Sequence, residues 1–356
     1  MYLNVLKVFT PAALAFFIGL LLTPILTDFL YKHKCWKKKA DKIDPLGKST
    51  PIFNELDKER AVSTPRMGGV IIWVSILCTI GVIYLSTVLF QDNQFFQKLN
   101  FLSRNQTWLP LFTLLVGSLT GLVDDILQVT GTADHKAGLS FTKRTIVVMI
   151  LGLIGGLWFY YRLDMTGTYI PFYGNWELGI MIIPFFMLIM FSLFSSGVID
   201  GLDGLSGGVM AIIFSAYGGI AYFQNSIDLA AFCLAVTGGI LAFLWFNIPP
   251  ARFYMSETGI LGLTTTLTVV AFLTDAVIIL PIIAFPLFIT SLSVVIQLAS
   301  KKFCGKKVFK VAPLHHHFEA IGWPAYKVVM RYWVIGIIMA IIGMVIAIIG
   351  GARFIS

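Results

Sequence analysis

Charge is what this sequence has least of. Only 12% of its 356 residues are Asp, Glu, Lys or Arg, against about a quarter in a soluble domain. Hydrophobic residues make up 57%, and mean hydropathy is +0.85. A water-soluble globular protein is excluded. No polar segment exceeds about 35 residues, and an independent domain needs about 50. Residues 1–356 therefore read as a single integral-membrane domain.

Cysteine is scarce as well. Cys35, Cys78, Cys233 and Cys304 show no metal-type spacing, and disulfides are not expected of them. No repeat of 20–50 residues stands out, and the two halves do not match. That discourages a solenoid and an inverted-repeat transporter. Phe9–Tyr31 is too long for a cleaved signal, follows only Lys7, and lacks a small-residue cleavage site, so it reads as a span.

What is present is apolar length. Runs such as Phe9–Tyr31, Val70–Phe90 and Trp333–Gly350 suffice to cross a bilayer, which takes roughly 20 residues. The expectation is an all-α polytopic membrane protein of about ten transmembrane helices. They fall at 9–31, 68–90, 108–126, 143–161, 178–196, 205–223, 229–246, 259–273, 277–299 and 332–351. The eighth is short, and only Asp275 marks the turn into the ninth, which Pro281 and Pro286 are placed to bend.

With the N-terminus outside, Lys and Arg divide 21 to 5 in favour of the inner side. The positive-inside rule then sets both termini on the outer side, which in a bacterial inner membrane would be periplasmic. It also accounts for the net charge of +8 without nucleic acid. Fusing the eighth and ninth spans into one crossing would put the basic 300–331 loop outside, against that rule.

The carboxylates gather at the inner span ends. Ionisable groups at membrane depth are costly and mark function. Asp124 and Asp125 end the third span. Neighbours on a helix point about 100° apart, so one can reach a metal or nucleophile while the other orients a cation. Asp200 and Asp203 lie in a glycine-rich turn, on one face if that segment is helical. Such a loop can cradle phosphate or a base; a Ca2+ loop would need more oxygen ligands.

Glu257 is a hard oxygen ligand suited to Mg2+. Tyr254 can stack on a nucleobase, and Asn247 can hydrogen-bond one. His315-His316-His317 sits in a loop or helix start beside Lys301, Lys302, Lys306, Lys307 and Lys310. With no Cys or further His nearby, phosphate contact suits it better than Zn2+. Arg66 can bind phosphate or carboxylate through two nitrogens, and Lys143 can do so as a point charge.

Taken together, these segments resemble the phospho-N-acetylmuramoyl-pentapeptide transferase family, within the polyprenyl-phosphate N-acetylhexosamine-1-phosphate transferase superfamily. The most specific stretch is Ala312-Pro-Leu-His-His-His-Phe-Glu-Ala-Ile-Gly-Trp323. Asp124-Asp125, Asp200-Gly-Leu-Asp-Gly, Trp245-Phe-Asn247 and Gln297 also match. The resemblance implies ten spans in the bacterial inner membrane and a cytoplasmic-face site.

It also implies transfer of phospho-MurNAc-pentapeptide from UDP-MurNAc-pentapeptide to undecaprenyl phosphate, with Mg2+ as cofactor, lipid surroundings and a homodimer. By that pattern Asp124, Asp125 and Glu257 are catalytic, and Glu257 stands at the metal position. Arg66, Lys143, Asp200, Asp203, Asn247, Tyr254, Gln297 and the three histidines contact substrate. The rival readings are a sister transferase for another UDP-sugar and a member that binds donor or lipid without turnover.

The sequence departs from the family pattern at several of these places. Ser256-Glu257 replaces Gly-Asp, and Gly197-Val-Ile-Asp200 lacks the usual Asn amide. Gln128 replaces a Lys. Ser63-Thr-Pro-Arg66 puts Arg where Thr is usual, and Ala61-Val62 replaces a basic pair, with Arg60 the nearest cation.

Overall fold

The structure is a computed structural model that describes residues 2–36, 63–102, 105–131 and 138–351. Arg60, Ala61 and Val62 lie outside the described residues. In chain order the helices are α1 (Tyr2–Lys32), α2 (Val70–Leu89), α3 (Gln94–Leu99), α4 (Asn105–Thr130), α5 (Phe141–Arg162), α6 (Ile182–Ser195) and α7 (Leu205–Phe223). Then come α8 (Ile227–Asn247), α9 (Ser256–Leu273), α10 (Leu280–Ile283), α11 (Phe285–Phe303), α12 (Leu314–Ala320) and α13 (Ala325–Gly350). Short 3-10 turns, Gly179–Met181 and Ser196–Ile199, flank α6.

Among the described residues, nine helices are long and apolar enough to cross a membrane. They coincide with nine of the ten expected spans. The ninth expected span, 277–299, is not continuous. It turns at Thr274–Asp275, makes the four-residue α10, breaks at Ala284 (φ −98°, ψ 28°) and restarts as α11. Pro281 and Pro286 each sit in the first turn of a helix, where a missing N–H costs nothing.

The third span also runs further than expected, to Thr130, so Asp124 and Asp125 lie inside the last turns of α4 rather than at its end. An antiparallel hairpin, β1 (Gly167–Ile170) with β2 (Gly174–Glu177), fills the link between α5 and α6. Asp275 anchors it, its carboxylate accepting from the Thr168 hydroxyl and the Tyr169 N–H.

α9 is the central helix. In its most apolar window 89% of residues are buried, against 22% for α1 and 28% for α13, whose apolar flanks are exposed. The seam between α9 and α4 is built on small residues. A Cβ at Gly121 would meet the Glu257 carbonyl oxygen at 2.1 Å, and one at Gly262 would meet the Ser118 hydroxyl at 2.1 Å. Close backbone approach is the usual means of packing helices in lipid. Here it brings the Asp124–Asp125 turn of α4 against the first turn of α9.

Candidate active site

The site residues that the sequence singled out lie at one end of the bundle, Lys143 exposed among them. There α4, α8 and α11 finish and α2, α5, α7, α9 and α13 begin. The segment 63–69 is bonded along the loop before α9. Tyr254 N–H donates to the Pro65 carbonyl, and Gly68 and Gly69 N–H donate to the Tyr254 and Met255 carbonyls. A Cβ on Gly69 would strike the Gly259 nitrogen at 2.3 Å, so that approach requires glycine.

Arg66 is thereby held over Asp125. Its Nε and Nη2 both lie 3.1 Å from Asp125 Oδ1. The second oxygen accepts from the Thr258 N–H (3.0 Å) and hydroxyl (2.7 Å). Asp125 is fully buried, and its oxygens are engaged by four protein donors. Burial alone would lower the Arg66 pKa. The Asp125, Glu257 and Asp200 carboxylates outweigh it and hold that pKa raised.

Asp124 faces the other way. It accepts from the Gln128 side chain (2.7 Å) and from the Leu139 N–H. Its Oδ2 also lies 3.6 Å from Arg144 Nη1, and that same nitrogen bonds Glu257 Oε1. One guanidinium nitrogen thus bridges two carboxylates. Arg144 is the residue that sequence reasoning missed. Lys143, chosen in its place, is exposed at the start of α5. Consecutive helix positions point about 100° apart, so only one of the two can face α4 and α9, and the sequence carries no mark of which.

The segment holding Asp200 and Asp203 is not helical, so the condition for their sharing one face is not met. The 3-10 turn ends at Asp200 and the chain passes through Gly204 in the left-handed region (φ +79°). Asp200 accepts from the Ser206 hydroxyl (2.7 Å) and the Ser256 N–H (2.9 Å). Burial raises its pKa. The Ser206 and Ser256 bonds and the Arg66 charge oppose that rise. Asp203 instead accepts from the Ala251 N–H (3.1 Å).

Asp203 also lines a cavity of ≈ 440 Å³ with Ser63, Thr64, Pro249, Pro250, Ala251 and Tyr254. An aromatic ring, hydroxyls and a carboxylate meet in it.

Asn247 and Gln297, expected to touch substrate, are used internally. Asn247 accepts from the Gly204 N–H (2.9 Å) and donates to the Phe253 carbonyl (2.8 Å). Gln297 accepts from the Val308 and Phe309 N–H groups and donates to the Phe309 carbonyl. Both brace loops around the site. The histidines begin α12, one of the two placements anticipated for them. A Cβ on Gly201 would meet Nε2 of His315 at 2.5 Å and of His316 at 2.9 Å, so both rings close on the Asp200–Asp203 turn. His316 Nδ1 lies 2.7 Å from Glu319, and His317 Nδ1 accepts from the Lys310 N–H.

Residues 107–275 match the family model for glycosyl transferase family 4. Curated relatives align over almost the whole chain. A protein of Geobacillus thermodenitrificans is 33% identical over 341 residues, covering 94% of this chain and 96% of its own. One from Anoxybacillus flavithermus is 34% identical over 94% and 96% of the two chains. One from Bacillus cereus is 33% identical over 95% and 97%. Each is named phospho-N-acetylmuramoyl-pentapeptide-transferase. The chain belongs to that family. For a phospho-N-acetylmuramoyl-pentapeptide-transferase family member, three carboxylates with two arginines at one bundle end leave an excess of carboxylate, which suits a cation placed between them and an anionic substrate. Asp124, Asp125 and Glu257 carry three negative charges, and Arg66 and Arg144 return two positive ones.

Among the described residues, no group of three or more His, Cys, Asp or Glu side chains converges closely enough to hold a metal alone. The donor chemistry does fit Mg2+, which needs only one or two carboxylates plus substrate phosphates. Asp124 and Glu257 already share one cationic nitrogen.

Proposed function

We propose that this chain transfers phospho-N-acetylmuramoyl-pentapeptide from its UDP carrier to undecaprenyl phosphate, forming lipid I and releasing UMP. The observation that carries the reading is the Asp124–Asp125–Glu257 cluster, at the same bundle end as the Asp203–Tyr254 cavity, in a chain aligned end to end with relatives of that name. The count of 21 inner against 5 outer basic residues supports a cytoplasmic-face site in the bacterial inner membrane.

The chemistry is a displacement at phosphorus. An oxygen of the acceptor phosphate attacks the sugar-side phosphorus of the pyrophosphate, a new P–O–P link forms, and UMP departs with the electron pair of the broken bond. The lipid phosphate is already largely ionised near pH 7, its second pKa being about 6 by analogy with phosphoresidues. The work is therefore positioning two anions and neutralising their charge.

Tyr254, Thr64 and Asp203 supply a ring and polar groups for the nucleoside in the cavity. Arg66 and Arg144 supply positive charge for the phosphates. Asp125 fixes the Arg66 guanidinium from behind. The Nε2 edges of His315 and His316, closed over Gly201, lie where the sugar-phosphate end of the donor would pass. Mg2+ held by Glu257 and Asp124 would draw off charge from the pyrophosphate oxygens.

The test is release of UMP by purified protein given UDP-MurNAc-pentapeptide, polyprenyl phosphate and Mg2+. Turnover is expected. Donor binding without UMP release would sink the catalytic reading. Turnover with a different UDP-N-acetylhexosamine in preference to the muramoyl donor would reassign the substrate.

A further inference from the structure

The position between Asp124 and Glu257 already contains a cation. Nη1 of Arg144 lies 3.6 Å from Asp124 Oδ2 and bonds Glu257 Oε1. A divalent ion bound by those two carboxylates would have to stand where that nitrogen stands, because Mg2+–oxygen bonds are only about 2.0–2.1 Å. The ion and the guanidinium cannot both occupy the gap.

The two arginines of the site differ in how they are held. Arg66 grips Asp125 with two nitrogens, and Asp125 is locked from its other side by Thr258. Arg144 reaches its carboxylates through Nη1, while its buried Nε has no hydrogen-bond partner among the described residues. Glu257, at 24% side-chain exposure, is also the carboxylate of the three most open to solvent; Asp124 and Asp125 stand at 1% and 0%. Arg66–Asp125 is built as a fixed pair, and Arg144–Glu257 as one that can part.

We infer that Arg144 is a built-in competitor for the divalent cation. In the metal-free protein its guanidinium neutralises Asp124 and Glu257. Loading the ion displaces it, and the freed fork then faces the phosphates beside the ion. Arg144 is thus a positioning residue that couples metal occupancy to the placing of a positive charge for the donor. This rests on the metal-dependent reading proposed above.

The experiment is a titration of detergent-solubilised full-length protein with Mn2+, free ion being read by electron paramagnetic resonance, for wild type, Arg144→Gln, Arg144→Met, Arg144→Lys and Glu257→Gln. Two charge-free variants are used so that one failing to fold leaves the other. Removing the competitor should tighten Mn2+ binding on the order of tenfold, within the usual range for coupled ligands. Arg144→Lys, which keeps a cation, should stay near wild type. The Mg2+-induced rise in melting temperature should likewise be larger for Arg144→Gln or Arg144→Met than for wild type.

Unchanged or weaker Mn2+ binding in the charge-free variants would overturn the inference. Glu257→Gln tells which idea has failed. If it alone loses the ion, the metal reading stands and only the competition falls. If it binds Mn2+ as wild type does, or if no variant binds at all, the metal site itself falls, and the competition with it.

Discussion

Ser256 has a left-handed backbone, φ +58°, that glycine adopts freely and that costs an L residue about 1–2 kcal/mol. Its hydroxyl is buried without a hydrogen-bond partner among the described residues. Its N–H is what Asp200 accepts, and Glu257 follows it, so the site depends on that conformation. Ser256→Gly should therefore stabilise the protein by about 1 kcal/mol net, after allowing for the looser unfolded chain. A melting temperature higher by roughly 2 °C would register it. A lower one would show that the hydroxyl has a role.

Arg66 makes the opposite case. Removing it leaves Asp125 buried with a charge and no cation in contact. Breaking a buried pair from one side costs about 3–5 kcal/mol. Arg66 is partly open to solvent, so Arg66→Ala should cost about 3 kcal/mol. UMP release should fall by more than about 100-fold, since a small misplacement at the reacting centre suffices for that. Arg66→Lys keeps the charge but cannot place two nitrogens on one oxygen. It should recover most of the stability and only part of the rate.

The seam between α4 and α9 makes the next prediction. Gly121→Ala puts a methyl group into the Glu257 carbonyl, and backbone cannot move aside as a flexible side chain can. The two helices must separate, which pulls Thr258 from Asp125. A loss of about 1–3 kcal/mol is expected from overpacking, with activity falling alongside it. Gly81→Ala in α2 is the matched control. Nothing lies within 4 Å of a Cβ there, so stability should hold to within about 1 kcal/mol. Thermal melts and UMP release on both variants decide the matter. Equal effects would mean that the seam does not set the site.

The same element scale shows how far the sequence could be read. Nine helices fall where apolar length placed them, because a bilayer demands an uninterrupted apolar run and little else produces one. The break at Ala284 was half visible, in two prolines five residues apart. The hairpin at 167–177 was not. Its strands are four residues each, too short for a period to show, and its anchor on Asp275 lies about a hundred residues away. The acids were found because charge at span ends is rare. Of their cationic partners Arg66 was singled out and Arg144 was not, since Arg144 and Lys143 look alike until the rotation of α5 is known. Asn247 and Gln297 stood out for their residue type, yet both brace backbone.

Across the whole molecule, site and hairpin mark opposite ends of one bundle. Arg66, Asp125, Glu257 and the histidines gather at one end. Lys7 pairs with Asp228 at the other, where the hairpin exposes Phe172 and Tyr173 beside the end of α13. The proposed cytoplasmic placement of the first end rests on the charge asymmetry, and an exposed native thiol there makes it testable. Cys304 is exposed just past α11, at the site end. In intact cells stripped of their outer barrier, a membrane-impermeant maleimide should leave Cys304 unreacted and label it after permeabilisation. In a Cys304→Ser background, Tyr173→Cys should react before permeabilisation. The reverse pattern would turn the bundle over. An outward-facing site would contradict the placement that the basic-residue count supports. The orientation therefore stands or falls on that pair of thiols.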